Sequence, residues 1–243
     1  MQDSRLYSLD FLKFVAALMI TNSHFQPLYE DVSPSLATFG VHGNALFFFV
    51  SGFLLMMGFE KKKSHGFLNW YKGRMRRLWP AVFIWVVVSA AVWKQTLTIG
   101  NLLLFDGYWF LQAIAVAYIV FYVILKIGKG AMGIRYYSQI TALIPLHTFV
   151  YYLYKVASYS WCDKVFHSKR VGKIMSWIAA LTLEIYIVQF AFITNQFNSI
   201  FPLNVLLVFA IIVLAAYLLK VMTSLFLAVL SKEDLEWKEI VRL

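Results

Sequence analysis

Charge is scarce in this chain. Asp, Glu, Lys and Arg make up 14% of its 243 residues and hydrophobic residues 61%. A soluble domain carries roughly 25% charged residues, so the composition excludes a water-soluble fold. Cysteine is nearly missing as well: Cys162 stands alone, which excludes an internal disulfide and a cysteine-held metal. The sequence has no glycine-rich phosphate loop and no His-Glu-x-x-His pair, and His42, His65, His147 and His167 are scattered. ATP-driven transport and metalloprotease chemistry therefore have no support, and no metal is expected. Nothing resembles a cleaved leader, because Asp10 and Lys13 interrupt the first apolar run and no small-residue cleavage site follows it. It reads as a retained first helix. Internal repeats, low-complexity linkers and a second domain are absent too, so the expectation is one transmembrane domain over residues 1–243.

What charge there is leans one way. Lys and Arg number 22 against 12 Asp and Glu, a net +10. The basic residues cluster in short loops between apolar runs, the pattern of a positive-inside topology rather than a nucleic-acid surface. No nucleic-acid partner is expected; the bilayer is.

A helix needs about 20 apolar residues to cross the hydrocarbon core. Spans are expected over about 9–28, 40–59, 78–93, 108–125, 176–195 and 203–230. Pro80 would occupy the first turn of the third, where a missing N–H costs little. Placing the basic loop from Lys61 to Arg77 in the cytoplasm puts both termini there. The segment Tyr136–Tyr154, with Pro145 and His147 in its middle, reads first as a re-entrant or broken hairpin, which is what keeps the C-terminus inside; a single crossing is the alternative. The fold class is thus all-α: a polytopic membrane helical bundle of six to eight membrane segments.

The first span carries the strongest functional signal. Lys13 and His24 lie eleven residues apart, nearly a whole number of helical turns, so a continuous helix offsets them by about 20° and separates them by about 16 Å. Asp10 and Thr21 fall close to the same stripe. Ionisable groups at membrane depth usually face a protein interior or a water-filled passage. His24 can exchange a proton near neutrality, although a structural histidine at the interface fits the same position. Lys13 could equally snorkel or pair with Asp10.

Three further groups stand out. Arg74 and Arg77, three apart, could grip a phosphate at a helix entrance, or simply mark a cytoplasmic loop that meets lipid head groups. Asn44 and Ser51, seven apart, line one face of the second span, where Ser51-Gly52 permits close helix packing. Glu184, deep in a late apolar span, must be protonated or paired, with Lys13 or an arginine as the expected partner.

These pieces resemble the membrane-bound acyltransferase 3 family. Leu9-Asp10 with Lys13 and His24 is similar to its first-helix motif, and Phe47-Phe48-Phe49-Val50-Ser51-Gly52-Phe53 to its second-helix signature. Arg74, Arg77, Leu78 and Pro80 resemble its arginine motif, Trp109-Phe110-Leu111 its central motif, and Leu183-Glu184-Ile185-Tyr186 its late-helix signature. The resemblance implies an O-acyltransferase of the bacterial inner membrane. It would move an acyl group, most often acetyl, from acyl-CoA to an envelope glycan or lipid-linked sugar. His24 would be the catalytic histidine, supported by Lys13, Asp10 and Glu184. Arg74 and Arg77 would bind acetyl-CoA, with Ser51 and Trp109 as further donor-binding candidates. The chain is shorter than most members, the deficit falling around Gly128 to Lys173, and Gln189 stands where many have a second histidine. A non-catalytic glycan- or partner-binding protein and a small proton-coupled carrier stay open beside the enzyme, as does the oligomeric state.

Overall fold

The computed structural model describes residues 7–61, 66–103, 107–127, 144–166, 168 and 170–231. Regular structure among them is entirely helical: α1 (Tyr7–Ser23), α2 (Gly40–Lys61), α3 (Phe67–Trp93), α4 (Ile99–Leu102), α5 (Trp109–Ile127), α6 (Ile144–Ala157), α7 (Ser160–Phe166), α8 (Val171–Ala180), α9 (Thr182–Val188) and α10 (Leu203–Ser231), with short 3-10 turns between some of them. Among the described residues, three stretches are long and apolar enough to cross a bilayer: Pro34–Leu55, which ends within α2, then α3 and α10. The bent pair formed by α8 and the stretch Thr182–Ala191 brings the total to four. The expected six to eight are not reached among the described residues. The apolar stretch of α5 is shorter, Trp109–Val123, and α1 stops at Ser23, where the serine hydroxyl donates back to the Ile20 carbonyl at 2.7 Å. Lys62, Lys63, Lys129, Arg135, Lys169, His65, His167 and the 136–143 part of the expected hairpin lie outside the described residues.

Two elements differ from expectation. The third helix begins at Phe67, not near Leu78, so Pro80 lies in its interior and Arg74 and Arg77 lie within its body. The expected helix-entrance site, with its N-terminal dipole, is thereby corrected. Charge and proline read as a boundary in sequence, but aromatic packing keeps the early turns helical: Trp70 is buried against Leu55 and Tyr122, with Phe67, Tyr71, Tyr118 and Phe121 around them. A proline inside a membrane helix is tolerated where neighbours re-satisfy the backbone. The late span is also not one continuous helix. It breaks at Leu181 and bends by 61°, and Thr182 Oγ1 donates to the Ala179 carbonyl across the break at 2.8 Å. Pro145, expected in the middle of a hairpin, lies in the first turn of α6.

The chain divides into two compact units. The first draws on residues 1–51 and 135–214, the second on 52–134 and 215–243. In the first, α1 packs against α8, α9 and α6, burying Leu9, Leu12, Ala16, Ala17 and Ile20. In the second, α3 packs on α5 and α4. Close approach at Ser51-Gly52 is realised, since a Cβ on Gly52 would lie 2.7 Å from the Phe121 ring. Gly43 is the less forgiving contact, because backbone is among the atoms it faces. A Cβ there would meet Ile20 Cγ1 at 2.8 Å and the Ile20 backbone nitrogen at 3.0 Å. Because backbone cannot move aside, Gly43→Ala is expected to destabilise the protein by about 1–3 kcal/mol, the usual range for overpacking. A lowered thermal unfolding midpoint in lipid nanodiscs is the check.

Candidate functional site

His24 sits immediately beyond the last residue of α1. Its backbone N–H still reaches the Thr21 carbonyl at 3.1 Å, so the chain tightens there instead of continuing the α-helix. The helical phase relation to Lys13 ends one residue short of the imidazole. The ring is half-buried and meets the Phe190 ring edge to face, 4.7 Å between centroids. Phe190 lies in the 3-10 turn Gln189–Ala191 that follows α9, and Tyr186 of α9 contacts Phe190 at 6.4 Å. The late broken helix, not the first helix alone, therefore builds the wall beside the imidazole.

What fixes His24 is a set of asparagines. Asn22 donates to the Leu36 carbonyl at 2.9 Å and accepts from Tyr29 Oη at 2.7 Å. Burial pushes the Tyr29 phenol above its ordinary value. On the other side of the turn, Asn198 donates to the Pro27 carbonyl at 2.9 Å. Asn204 donates to the Leu28 carbonyl at 3.1 Å and to Asn198 Oδ1 at 3.2 Å. These bonds span more than 170 residues of sequence, so no local pattern reveals them. The one available hint was the loop 195–204, uncharged yet rich in asparagine. Asn204 is fully buried, and an orphaned buried hydrogen-bonding group costs about 1–3 kcal/mol. Asn204→Leu should lower the unfolding midpoint accordingly and reduce turnover by freeing the His24 turn, while leaving the affinity for the acyl donor unchanged. Parallel thermal scans and steady-state kinetics test both halves.

Lys13 pairs with Asp10 at 3.4 Å, one turn earlier on α1. Asp10 is buried and Lys13 half-buried. Glu184 is 1% exposed, on α9, the helix that packs against α1. The ion pair on α1 is thus local, of the kind expected for Lys13 and Asp10.

The second unit holds the arginines. The Arg74 guanidinium lies over the Trp70 ring at 5.4 Å and is half-buried, whereas Arg77 is exposed. Trp70 contacts Tyr122 at 5.3 Å and Tyr118 at 6.4 Å, and Lys126 Nζ lies 5.6 Å over the Tyr122 ring. Two cations therefore flank one buried aromatic cluster, and a third stands exposed one turn along α3. Sequence reasoning missed Trp70 and Lys126. The signal was present, since Trp70 and Arg74 are four apart on what proves to be a helix. Of the remaining donor-binding candidates, Ser51 is half-buried on α2 and Trp109 is exposed at the start of α5. His24, Lys13, Asp10, Glu184 and Ser51 belong to the first unit; Arg74, Arg77 and Trp109 belong to the second.

Comparison with known proteins gives one positive result. The family model described as "Acyltransferase domain" matches residues 6–161, more than half of the chain. That stretch includes the first-helix, second-helix, arginine and central motifs, and leaves the late-helix residues 183–186 outside. No curated protein and no solved structure matches.

Proposed function

Because the chain belongs to the acyltransferase family whose model covers residues 6–161, we propose that this membrane acyltransferase is an O-acetyltransferase of the bacterial inner membrane. It takes the acetyl group of cytoplasmic acetyl-CoA and places it on a hydroxyl of a cell-surface polysaccharide or lipid-linked sugar. The family match carries the reading. The half-buried His24 on its braced turn, and the arginine pair on α3, support the division of labour within it.

Arg74 and Arg77 hold the phosphates of the donor, for which guanidinium forks are well suited. Ser51 and Trp109 belong to the same donor-binding set. His24 acts as general base: a ring nitrogen takes the proton of the acceptor hydroxyl as its oxygen attacks the thioester carbonyl. A C–O bond forms, the C–S bond breaks, and the imidazolium returns its proton to the departing CoA thiolate. Asp10 and Glu184 support the site, and the Asp10 carboxylate holds the Lys13 ammonium in place.

Purified protein in nanodiscs, given radiolabelled acetyl-CoA and lipid-linked glycans from a bacterial envelope, is the test. Label should move to the glycan and leave free CoA. Label found on the protein, released by hydroxylamine, would mean that the histidine carries the acetyl group itself. Absence of both label transfer and CoA binding would reject the enzyme in favour of a non-catalytic glycan-binding protein. Substrate movement driven by a proton gradient without acetyl-CoA would point instead to a carrier.

A further inference from the structure

Around the turn that joins α6 to α7, large aromatic side chains point away from the protein. Tyr151 and Tyr152 on α6, Tyr159 in the turn and Trp161 on α7 are each more than half exposed. Lysines stand among them. Lys155 and Lys164 are exposed, and Lys155 Nζ lies 5.3 Å over the Tyr151 ring. Helical spacing accounts for the pattern. On α6, Tyr151 and Lys155 are four apart, as are Tyr152 and Val156, and together they form one exposed side, while Val150 and Ala157 are buried. On α7, Trp161 and Lys164 turn outward three apart, while Cys162 and Val165 turn inward. The turn between the helices is short and hydrogen-bonded. The Ser158 N–H reaches the Tyr154 and Lys155 carbonyls, each at 3.0 Å, and Ser158 Oγ donates to the Tyr154 carbonyl at 2.8 Å. The Cys162 N–H closes on the Tyr159 carbonyl at 3.0 Å. One fixed corner therefore carries these rings and both ammonium groups.

The place of the corner in the fold says what covers it. Cys162 and Met175 form a buried pair on which Tyr7, Phe11 and Phe14 pack. The inner face of α7 is thus seated on the first turns of α1, the helix expected as the first span. Membrane helices end at the head-group layer. Tyr and Trp are enriched there, because a ring with a polar tip suits a boundary that is apolar on one side and wet on the other. Charge agrees with that depth. From Ile144 to Ile174 the sequence holds five Lys or Arg and one acid, Asp163. The helix α8, which packs on α7, adds exposed Arg170 at its start and exposed Lys173 in its first turn. Anionic head groups attract such clusters. A face built for hydrocarbon would not carry exposed lysines beside its rings, and a face built for water would not gather exposed rings into one patch.

We propose that the α6–α7 corner lies in the head-group layer and binds anionic phospholipid, with its rings at the level of the ester groups and Lys155 and Lys164 on the phosphates. All of these residues belong to the first unit, and the binding is independent of acyl transfer.

The test uses the full chain in nanodiscs with the fluorophore bimane on Tyr159→Cys. Wild type taken through the same labelling is the blank, since Cys162 is buried. Phosphatidylcholine with a nitroxide high on its acyl chain should quench the bimane more than the same lipid labelled near the chain end, and more than a water-soluble nitroxide. Phosphatidylglycerol labelled at the high position should quench more strongly than phosphatidylcholine at equal mole fraction, which reads enrichment of the anionic lipid at the corner. Lys155→Gln and Lys164→Gln should each lower that enrichment about fivefold at low salt, and added salt should lower it in the unsubstituted background. Both lysines are exposed, so unfolding midpoints should stay at the wild-type value. Ser160→Cys, at an exposed neighbouring position, carries the fluorophore if Tyr159→Cys does not fold. Quenching led by the water-soluble nitroxide would mean that the corner faces water or a soluble acidic partner. Quenching led by the chain-end label would place it in the hydrocarbon core, and equal quenching by the two lipids would mean anchoring without recognition of charge. Each of these three results overturns the proposal.

Discussion

Replacing His24 with alanine is expected to cut acetyl transfer by at least about 10²-fold, the lower end of what a positioned general base contributes. The loss should fall on kcat, with the KM for acetyl-CoA unchanged, because the donor phosphates are assigned to Arg74 and Arg77 and not to the imidazole. Folding should survive. His24 is only half-buried, and among the described residues its ring contact is one edge-to-face approach to Phe190. The turn that carries it is held by Asn22, Asn198 and Asn204 rather than by the imidazole. An unfolding midpoint close to wild type, measured beside the kinetics, is therefore part of the expectation. His24→Gln, which retains hydrogen bonding but cannot take a proton, should be as inactive as alanine. Wild-type transfer by either variant would remove the base from the mechanism and leave His24 a structural interface residue.

The second large effect is at the arginines, where the two positions should behave differently. Charge-assisted hydrogen bonds contribute about 1.5–3 kcal/mol each, so losing one corresponds to roughly 10- to 100-fold in the KM for acetyl-CoA. Arg77 is exposed on α3, and Arg77→Ala should show that rise alone, with stability and kcat near wild type. Arg74 is half-buried and stacked over Trp70. Arg74→Ala should raise the KM similarly and also lower the unfolding midpoint, since the aromatic cluster loses its cover. Lysine should partly restore the exposed position and fail at the stacked one, because a flexible ammonium does not reproduce a planar guanidinium over an indole. Binding should also weaken with salt in the wild type and less steeply in each variant. Isothermal titration with CoA across ionic strengths measures this directly. Equal affinities for CoA in wild type and the double variant would mean that the cluster serves only topology.

How far the site could be read in advance differs residue by residue. Lys13 and Asp10 were legible because a helix places residues three apart side by side, and the pair forms as spacing alone requires. The first helix and the second-helix signature were likewise local, and the start of α2 at Gly40 and of α10 at Leu203 agree with the apolar pattern. His24 was found, but its setting was not: the helix ends one residue earlier, and the bracing carbonyls and asparagines come from opposite ends of the chain. Arg74 and Arg77 were found and placed in a loop, because a run of cations before Pro80 mimics a boundary. Only the burial of Trp70 against Leu55 and Tyr122 shows that the helix has already begun eleven residues earlier. Gly43 carried no visible signal at all, being defined by a backbone contact with Ile20. Gln189 was legible only as a departure from the family's second histidine, and its complete burial was not.

The residue string alone determined that this is a helical membrane protein of the acyltransferase family, because hydropathy, charge placement and motif order are properties of neighbouring residues and hold before any two helices meet. Tertiary structure alone decided where the first helix stops, that the late span breaks and bends at Leu181, and which asparagines brace the His24 turn. Those outcomes depend on energies of packing and hydrogen bonding between segments far apart in the chain, and such energies do not exist until the segments are brought together.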